Sequence, residues 1–337
     1  MRTRTRPCLH ALVVTFVAAC GPGKGPAGGT PGAPDGGAIA DAARDDAAGP
    51  DAAPVADAAP AADATPGAVT CAYPDPSLEA GERVRVMAAN ITSGDASSYD
   101  APGIRIFRGL APDVALVQEM KYPAGIRALV DAAFGPEFAF AIEVQPGGIP
   151  NGIVSRFPIL QAGEWEDAEA PDRDFAYARI DIPGPVDLWA VSVHLKTSDA
   201  TSRSREARAL VGYVQAQVPP GDYLVIGGDL NTSTEAEAAL VDLAAVAVVP
   251  SARPADRLGN HATNATRTRP YDWVVASAAL EQRRMPVRIG AQTYCDGLVF
   301  DSRVWGALAE VSPVGAGDSE APNMQHMPVV RDFYVAE

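Results

Sequence analysis

The sequence predicts an α/β sandwich, with sheets in the middle and helices outside. Three observations point to it. Apolar runs at residues 113–119 (DVALVQE) and 223–227 (YLVIG) are continuous rather than alternating, as strands covered on both faces read. Amphipathic, helix-length stretches lie between such runs. The runs at 175–182 and 186–194 are separated by Gly184-Pro185, the punctuation of a hairpin.

In chain order, residues 83–91 (RVRVMAANI) read as the first strand and 101–110 as an amphipathic helix that ends before Pro112. The buried strand 113–119 follows, then a helix over 124–134. Residues 152–156, 175–182 and 186–194 read as strands. A helix over 202–218 is stopped by Pro219-Pro220, because proline cannot continue the backbone ladder. The strand 223–227 leads into Gly228-Asp229-Leu230-Asn231, and late strands are expected at 271–276 and 327–334. The residues show no internal repeat.

The formal net charge of −15 argues against duplex binding through a basic surface. It leaves a phosphate substrate open, since a bound divalent cation supplies positive charge locally. Four cysteines are too few for a disulfide-dense scaffold or a multi-cysteine zinc cluster. No apolar run reaches the ~18 residues that a membrane helix requires.

The N-terminus reads as an export signal. Arg2, Arg4 and Arg6 precede an apolar stretch from Cys8 to Phe16, and Val17-Ala18-Ala19-Cys20 follows. That ending resembles the bacterial lipobox, which implies lipidation of Cys20 and a membrane-anchored lipoprotein on the periplasmic or cell-surface face; an ordinary signal peptide is the alternative. Residues 21–70 are rich in Ala, Pro, Gly and Asp and hold almost no large apolar side chain. Such a segment cannot offset its ordering entropy and is expected to be a disordered linker. The folded domain is expected over 71–337. Within it Cys71 and Cys295 could form a bridge in an oxidising compartment, or remain two thiols.

Polar residues abut the apolar runs: Asn90 after the first strand, Gln118-Glu119 after the second, His194 after the run from 186, and Asp229 and Asn231 after the run from 223. Asp272 begins one late strand and His326 precedes another. In layered α/β proteins strand ends form the rim where ligands bind, so these residues point to one convergent site. Taken singly each has a plainer reading: a solvated strand end for Glu119, a hydrogen-bonded core histidine for His326, a strand cap for His194, an Asx turn for Asp229 and Asn231.

The segments Ala89-Asn90, Val117-Gln118-Glu119, Asn151-Gly152-Ile153-Val154-Ser155-Arg156-Phe157-Pro158, Val191-Ser192-Val193-His194, Gly228-Asp229-Leu230-Asn231, Tyr271-Asp272-Trp273-Val274 and His326-Met327-Pro328-Val329 together resemble the endonuclease/exonuclease/phosphatase superfamily. This is the fold of deoxyribonuclease I, abasic-site endonucleases, bacterial sphingomyelinases and inositol polyphosphate phosphatases. The matches come in family order and cover nearly all of residues 83–337. The resemblance implies a four-layered α/β/β/α sandwich and a metal-dependent phosphoric ester hydrolase, most simply a phosphodiesterase or endonuclease. Glu119 and Asn90 would hold Mg²⁺, with Mn²⁺ or Ca²⁺ as substitutes. His326, oriented by Asp272, would take a proton from the attacking water. Asp229 would position the nucleophile or a metal, Asn231 would donate to a phosphate oxygen, and His194 would steady the oxyanion. Arg156 and Arg269 are candidates for binding substrate phosphate.

Two departures stand out. The family commonly has Ser-Asp directly before the last histidine; here Met324-Gln325 stand there and Asp318 lies upstream. Either Asp318 still reaches the site or Gln325 substitutes a neutral oxygen. Thr92 also stands where some members have an acidic residue. The expected partner is a phosphate ester (nucleic acid, phospholipid or small diester), met by a monomer whose membrane contact is through the lipid alone. The alternatives are a non-catalytic module that binds a phosphorylated ligand on the same fold, and a sphingomyelinase-like phospholipid diesterase.

Overall fold

The computed structural model describes Cys71, residues 81–144 and residues 148–336. The export signal, Cys20 and the linker at 21–70 lie outside the described residues.

The elements run β1 (Gly81–Ala89), α1 (Ala101–Leu110), β2 (Val114–Val117), α2 (Ile126–Ala133), β3 (Ala139–Ile142), β4 (Gly152–Ser155), β5 (Ile159–Trp165), β6 (Phe175–Ile180), β7 (Leu188–His194), α3 (Ala200–Gln217), β8 (Tyr223–Asp229), α4 (Ala238–Leu243), β9 (Asp272–Ala276), α5 (Ala278–Glu281), β10 (Arg284–Met285), β11 (Val287–Ile289), β12 (Gln292–Tyr294), β13 (Leu298–Val299) and β14 (Val329–Ala336). One sheet has the order β10-β14-β1-β2-β4-β3, with β13 also paired to β14. The second has the order β5-β6-β7-β8-β9, and β11-β12 form a small hairpin apart. Within the two large sheets only β1–β2 and β7–β8 are parallel pairs; their other neighbours are antiparallel.

The sheets pack face to face. Val86, Ala88, Leu116 and Val154 of the first share one apolar core with Ala178, Ala190, Val225 and Val274 of the second. On the first sheet's outer face α1 and α2 bury Ile106, Phe107, Leu110, Leu129 and Val130. On the second sheet's outer face α3 and α4 bury Ala207, Leu210, Val214 and Leu240 against Val191, Val193, Leu224 and Ile226. The layering is therefore α/β/β/α, and it explains the continuous apolar runs: a strand between a helix layer and a second sheet has no solvated face.

Local chemistry sets the helix ends. Asp100 accepts the N–H of Ala101, Pro102 sits in the first turn of α1, and Ala111 in the left-handed region (φ 46°) ends it. Asp199 caps α3 by accepting the N–H of Ser202 at 2.7 Å; the helix closes at Gln217, before the two prolines.

Two expectations need correction. The strand expected at 223–227 continues through Asp229, so Gly228 and Asp229 belong to β8 rather than to the segment after it. The neighbouring strand and the facing sheet both come close there. A Cβ on Gly228 (φ 142°) would lie 2.0 Å from Val193 O of the paired β7 and 2.6 Å from Gln118 Nε2 of the facing sheet, and one on Gly227 would lie 2.8 Å from Leu116 Cδ1 of the facing sheet. Strands β3 and β5 also escape the hydrophobic pattern, because β3 is half-buried and most of β5 faces solvent at an edge. Cys71 and Cys295 form a disulfide, 224 residues apart in sequence.

Just past β3, Glu143 is buried, and burial pushes its carboxyl up from the usual value near 4.5 to about 8. The folded state thus binds this proton more tightly than the unfolded chain does. The stability it confers is complete below the unfolded value and is lost as pH rises through about 8. Glu143→Gln is expected to gain stability on wild type as pH rises from 5 to 8.5, by an amount on the order of a few kcal/mol at most. Thermal melts of both proteins across that range check it; parallel pH dependences would refute it.

Candidate active site

The strand registers assemble the site. In the first sheet Ala89 pairs with Val117, so Asn90 and Gln118 leave their strands side by side. In the second sheet His194 pairs with Asp229, and Asp229 with Asp272. These three side chains therefore lie in a row across β7, β8 and β9 at one end of the sandwich. Glu119 follows Gln118 with φ 51°, and Asn231 follows the β8 end with φ 51°. A non-glycine residue at positive φ costs conformational energy, least for asparagine. The backbone bends there because tertiary contacts hold it.

The rows converge on Asn90. Its amide nitrogen lies 3.1 Å from Asp229 Oδ2, 3.4 Å from Glu119 Oε1 and 3.5 Å from His326 Nε2. His326 Nδ1 is 2.9 Å from Asp272 Oδ2, and its Nε2 is 3.4 Å from Asp229 Oδ2. His194 Nε2 is 3.3 Å from the same Asp229 oxygen, with Nδ1 4.0 Å from Glu119 Oε1. The Tyr271 ring lies 5.7 Å from His326. Asn90, Glu119, His194, Asp229, Asp272 and His326 are all buried, so Glu119 and His326, 207 positions apart in sequence, share one pocket of charge.

Electrostatics divides the two imidazoles. For His326 burial opposes charge, but Asp272 and Asp229, with the bond to Asp272, outweigh it and push the ring up to about 10. For His194 burial dominates, reinforced by the charges of Arg173 and His326, and holds the ring well below its ordinary value. Asp229 is pushed up to about 6 by burial, with His326 opposing and Asp272 adding to the shift. One ring holds a proton and the other stays neutral, a separation suited to acid–base work.

Some expected residues are placed otherwise. Arg156 follows β4 at the end remote from the cluster: Ser155 pairs with Val114, the start of β2, whereas Glu119 follows that strand's finish. It bonds Asp113 at 2.7 Å and also Glu82, so it serves a structural ion pair there. Asp318 does not join the cluster either. Arg105 grips its two oxygens at 3.0 and 2.6 Å, and Gly315 N–H donates to it at 2.8 Å. Gln325 is exposed, and no hydrogen bond ties it to the cluster among the described residues. Asn231 adjoins the site; its backbone N–H donates to Asp229 Oδ1 at 2.9 Å and its amide to Leu195 O at 2.9 Å. Arg269 is exposed on the rim and donates to the Tyr271 hydroxyl at 3.1 Å.

Several supporting residues had no role assigned to them from the sequence; of these Gln118 stands out there only as a polar strand end. Gln118 donates to Ser192 Oγ at 2.8 Å, and Ser192 in turn to Val117 O at 3.1 Å, tying the sheets together beneath the cluster. Tyr99 donates to the carbonyls of Ala89 and Gln118. The Asp272 N–H donates to Thr263 Oγ1 at 2.8 Å. The one available signal was a polar residue inside an apolar strand, as at Gln118 and Ser192.

The donor set suits a hard divalent cation. Carboxylate and amide oxygens predominate, and Asn90 Oδ1 and Asp272 Oδ1 are buried without a hydrogen-bond partner. Asp229, Asp272 and His326 offer ligand atoms all within 4.8 Å of one another. In that trio His326 Nδ1 and Asp272 Oδ2 already bond each other, which leaves Glu119, Asn90 and Asp229 as the better oxygen donors.

A family model described as Endonuclease/Exonuclease/phosphatase family matches residues 90–297. Solved structures share the fold. An endonuclease/exonuclease/phosphatase from Beutenbergia cavernae DSM 12333 is 19% identical, covering 75% of this chain and 72% of that one, with a TM-score of 0.51. One from Bacteroides vulgatus is 17% identical over 76% and 100%, with a TM-score of 0.52. A truncated Caenorhabditis elegans TDP2 is 17% identical over 75% and 98%, with a TM-score of 0.50. No curated protein matches the sequence. With the family match running from Asn90 past Asp272, and the six buried polar side chains gathered at one end of an α/β/β/α sandwich, the chain belongs to the endonuclease/exonuclease/phosphatase family.

Proposed function

We propose that the protein is a divalent-metal-dependent hydrolase of phosphate esters, a phosphodiesterase, exported and held at a membrane face by lipid on Cys20. The observation that carries the chemistry is the convergence of Glu119, Asp229 and His326 on the Asn90 amide. Export rests on the residues before Cys20 and agrees with the Cys71–Cys295 disulfide, since such bonds persist in oxidising compartments.

Glu119, Asn90 and Asp229 would hold the cation. When bound, a divalent cation neutralises phosphate charge and offsets the carboxylate field that otherwise keeps His326 protonated. The rest is done by the chain. Asp272 occupies Nδ1 of His326, so Nε2 is the nitrogen that faces the cluster and takes the proton of a water attacking phosphorus in line. Asp229 lies beside that nitrogen and orients the water. His194, buried and neutral, presents its ring to the charge that develops on the non-bridging oxygens. Asn231 keeps its second amide hydrogen for the same oxygens.

The test is hydrolysis of bis(p-nitrophenyl) phosphate by the full chain with Mg²⁺, Mn²⁺ or Ca²⁺. Turnover that is abolished by EDTA and restored by added metal is expected. Turnover indifferent to EDTA would refute the mechanism. A binding module is the second reading, favoured by the exposed Gln325 and the engaged Asp318. Tight binding of phosphorylated ligands with no turnover, across nucleic acids, phospholipids and sugar phosphates, would establish it instead.

A further inference from the structure

We infer that Arg173 is a positioning residue for the imidazole of His194. The inference rests on the hydrolase reading and assigns a role to a side chain outside the catalytic cluster.

The register places it. Ala176 pairs with Ser192 across β6 and β7, so Arg173, three residues earlier, lies level with Leu195, just beyond the strand end that carries His194. Its side chain is buried at 7% exposure. Nε donates to His194 O at 2.6 Å and Nη2 to Leu195 O at 3.4 Å, while Nη1 meets the Asp172 carboxylate at 3.2 Å. The guanidinium fork therefore grips two successive carbonyls, one of them on the residue that bears the ring. A planar fork fixes direction as well as distance, which an ammonium cannot do.

The turn beyond is held in the same manner. Leu195 O also accepts from Asn231 Nδ2 at 2.9 Å. Lys196 N–H donates to both oxygens of buried Glu206 at 3.0 Å, and Arg203 donates to the carbonyls of Lys196 and Thr197 at 2.9 and 3.1 Å. Four consecutive carbonyls, from His194 to Thr197, are each taken by a side-chain donor. His194 and Leu195 are buried, so their carbonyls cannot rely on solvent and the side-chain donors satisfy them as well as hold the turn. What it fixes is the exit angle of β7. His194 has no side-chain hydrogen bond within the cluster that would orient its ring otherwise: Nδ1 is without a partner, and Nε2 lies at 3.3 Å from Asp229. Its aim follows the backbone, which the β8 ladder holds on one side (Leu195 N–H donates to Asp229 O at 2.9 Å) and Arg173 on the other.

The experiment uses the full chain with Arg173→Lys, which keeps the charge and removes the fork, and Arg173→Gln as a second variant. Steady-state hydrolysis of bis(p-nitrophenyl) phosphate with metal is measured alongside NMR of isotope-labelled histidine rings. For Arg173→Lys, kcat is expected to fall by about 10- to 100-fold with KM within about twofold, the signature of a misaligned group rather than lost substrate binding. The His194 ring resonances are expected to move and those of His261 to stay. Unchanged kcat, or unmoved His194 resonances, overturns the inference, as does a drop in thermal stability with normal kcat, which marks a purely structural role. Should the wild type hydrolyse no ester, the hydrolase reading fails alone, and the ring resonances still report whether Arg173 aims His194.

Discussion

Replacing His326 with alanine is expected to lower kcat for a phosphodiester by about 10²- to 10⁴-fold, the range for loss of a general base. The argument starts at Asp272. Its Oδ2 accepts from His326 Nδ1 at 2.9 Å, and its own backbone N–H is fixed on Thr263 Oγ1. The aspartate therefore selects one tautomer and directs Nε2 at the cluster. Asp272→Asn presents an amide N–H to Nδ1 in place of an acceptor, favours the wrong tautomer, and should cost activity comparably. Because the two residues act as a unit, the double variant should be no worse than the poorer single one; multiplied losses would mean independent roles. The alanine variant leaves Asp229 and Asp272 as buried carboxylates without their cationic partner, which is destabilising, so His326→Gln and melting curves accompany the kinetics. A His326→Ala protein that stays folded and keeps kcat within about threefold of wild type would end the assignment of His326 as the base.

How much of this was legible beforehand depends on which physical signal a residue leaves in the chain. Strands β2, β7 and β8 announce themselves because burial on both faces demands unbroken apolar runs, and the polar residues that end them are conspicuous for that reason. Glu119, His194 and Asp229 were found in this way, and Asn90 after β1 and Asp272 at the start of β9 stood out against other apolar runs. Strand β5, exposed along most of its length at a sheet edge, leaves no such pattern. Arg156 misled because proximity in sequence to a family segment says nothing about which end of an antiparallel strand a residue occupies; β4 runs against β2 and carries Arg156 away from Glu119. Asp318 misled because the sequence could not show that Arg105, 213 positions earlier, would claim its carboxylate. Arg173 escaped notice because nothing in the neighbouring residues Asp172 and Asp174 shows what its side chain meets. Only the pairing of β6 with β7 brings it under the carbonyl of His194. Residues that act on side chains at strand ends are thus readable from local pattern, whereas residues that act through the backbone of another strand require the register.

Glu119→Gln is expected to weaken activating-metal affinity by at least about 10- to 100-fold, as disturbance of a ligand environment does, while leaving the fold intact. The glutamate enters the cluster from a left-handed backbone position (φ 51°) directly after Gln118, whose amide is tied to Ser192 in the facing sheet. That geometry holds the carboxylate 3.4 Å from the Asn90 amide, across from the Asp229–Asp272 row, where it would offer a hard cation an oxygen ligand. The isosteric amide removes a unit of negative charge and keeps the shape, so the loss should appear in the metal-concentration dependence of turnover and in the metal-induced rise of the melting temperature, which tracks occupancy. The comparison variant is Asp229→Asn. Should the ion sit among Asp229, Asp272 and His326, whose ligand atoms also lie close together, Asp229→Asn would abolish the metal-induced stabilisation while Glu119→Gln left it at the wild-type level. That pair of results would move the cation from the seam between the sheets to the second sheet alone. Loss in both variants places it at the seam, bridged by the carboxylates of β2 and β8.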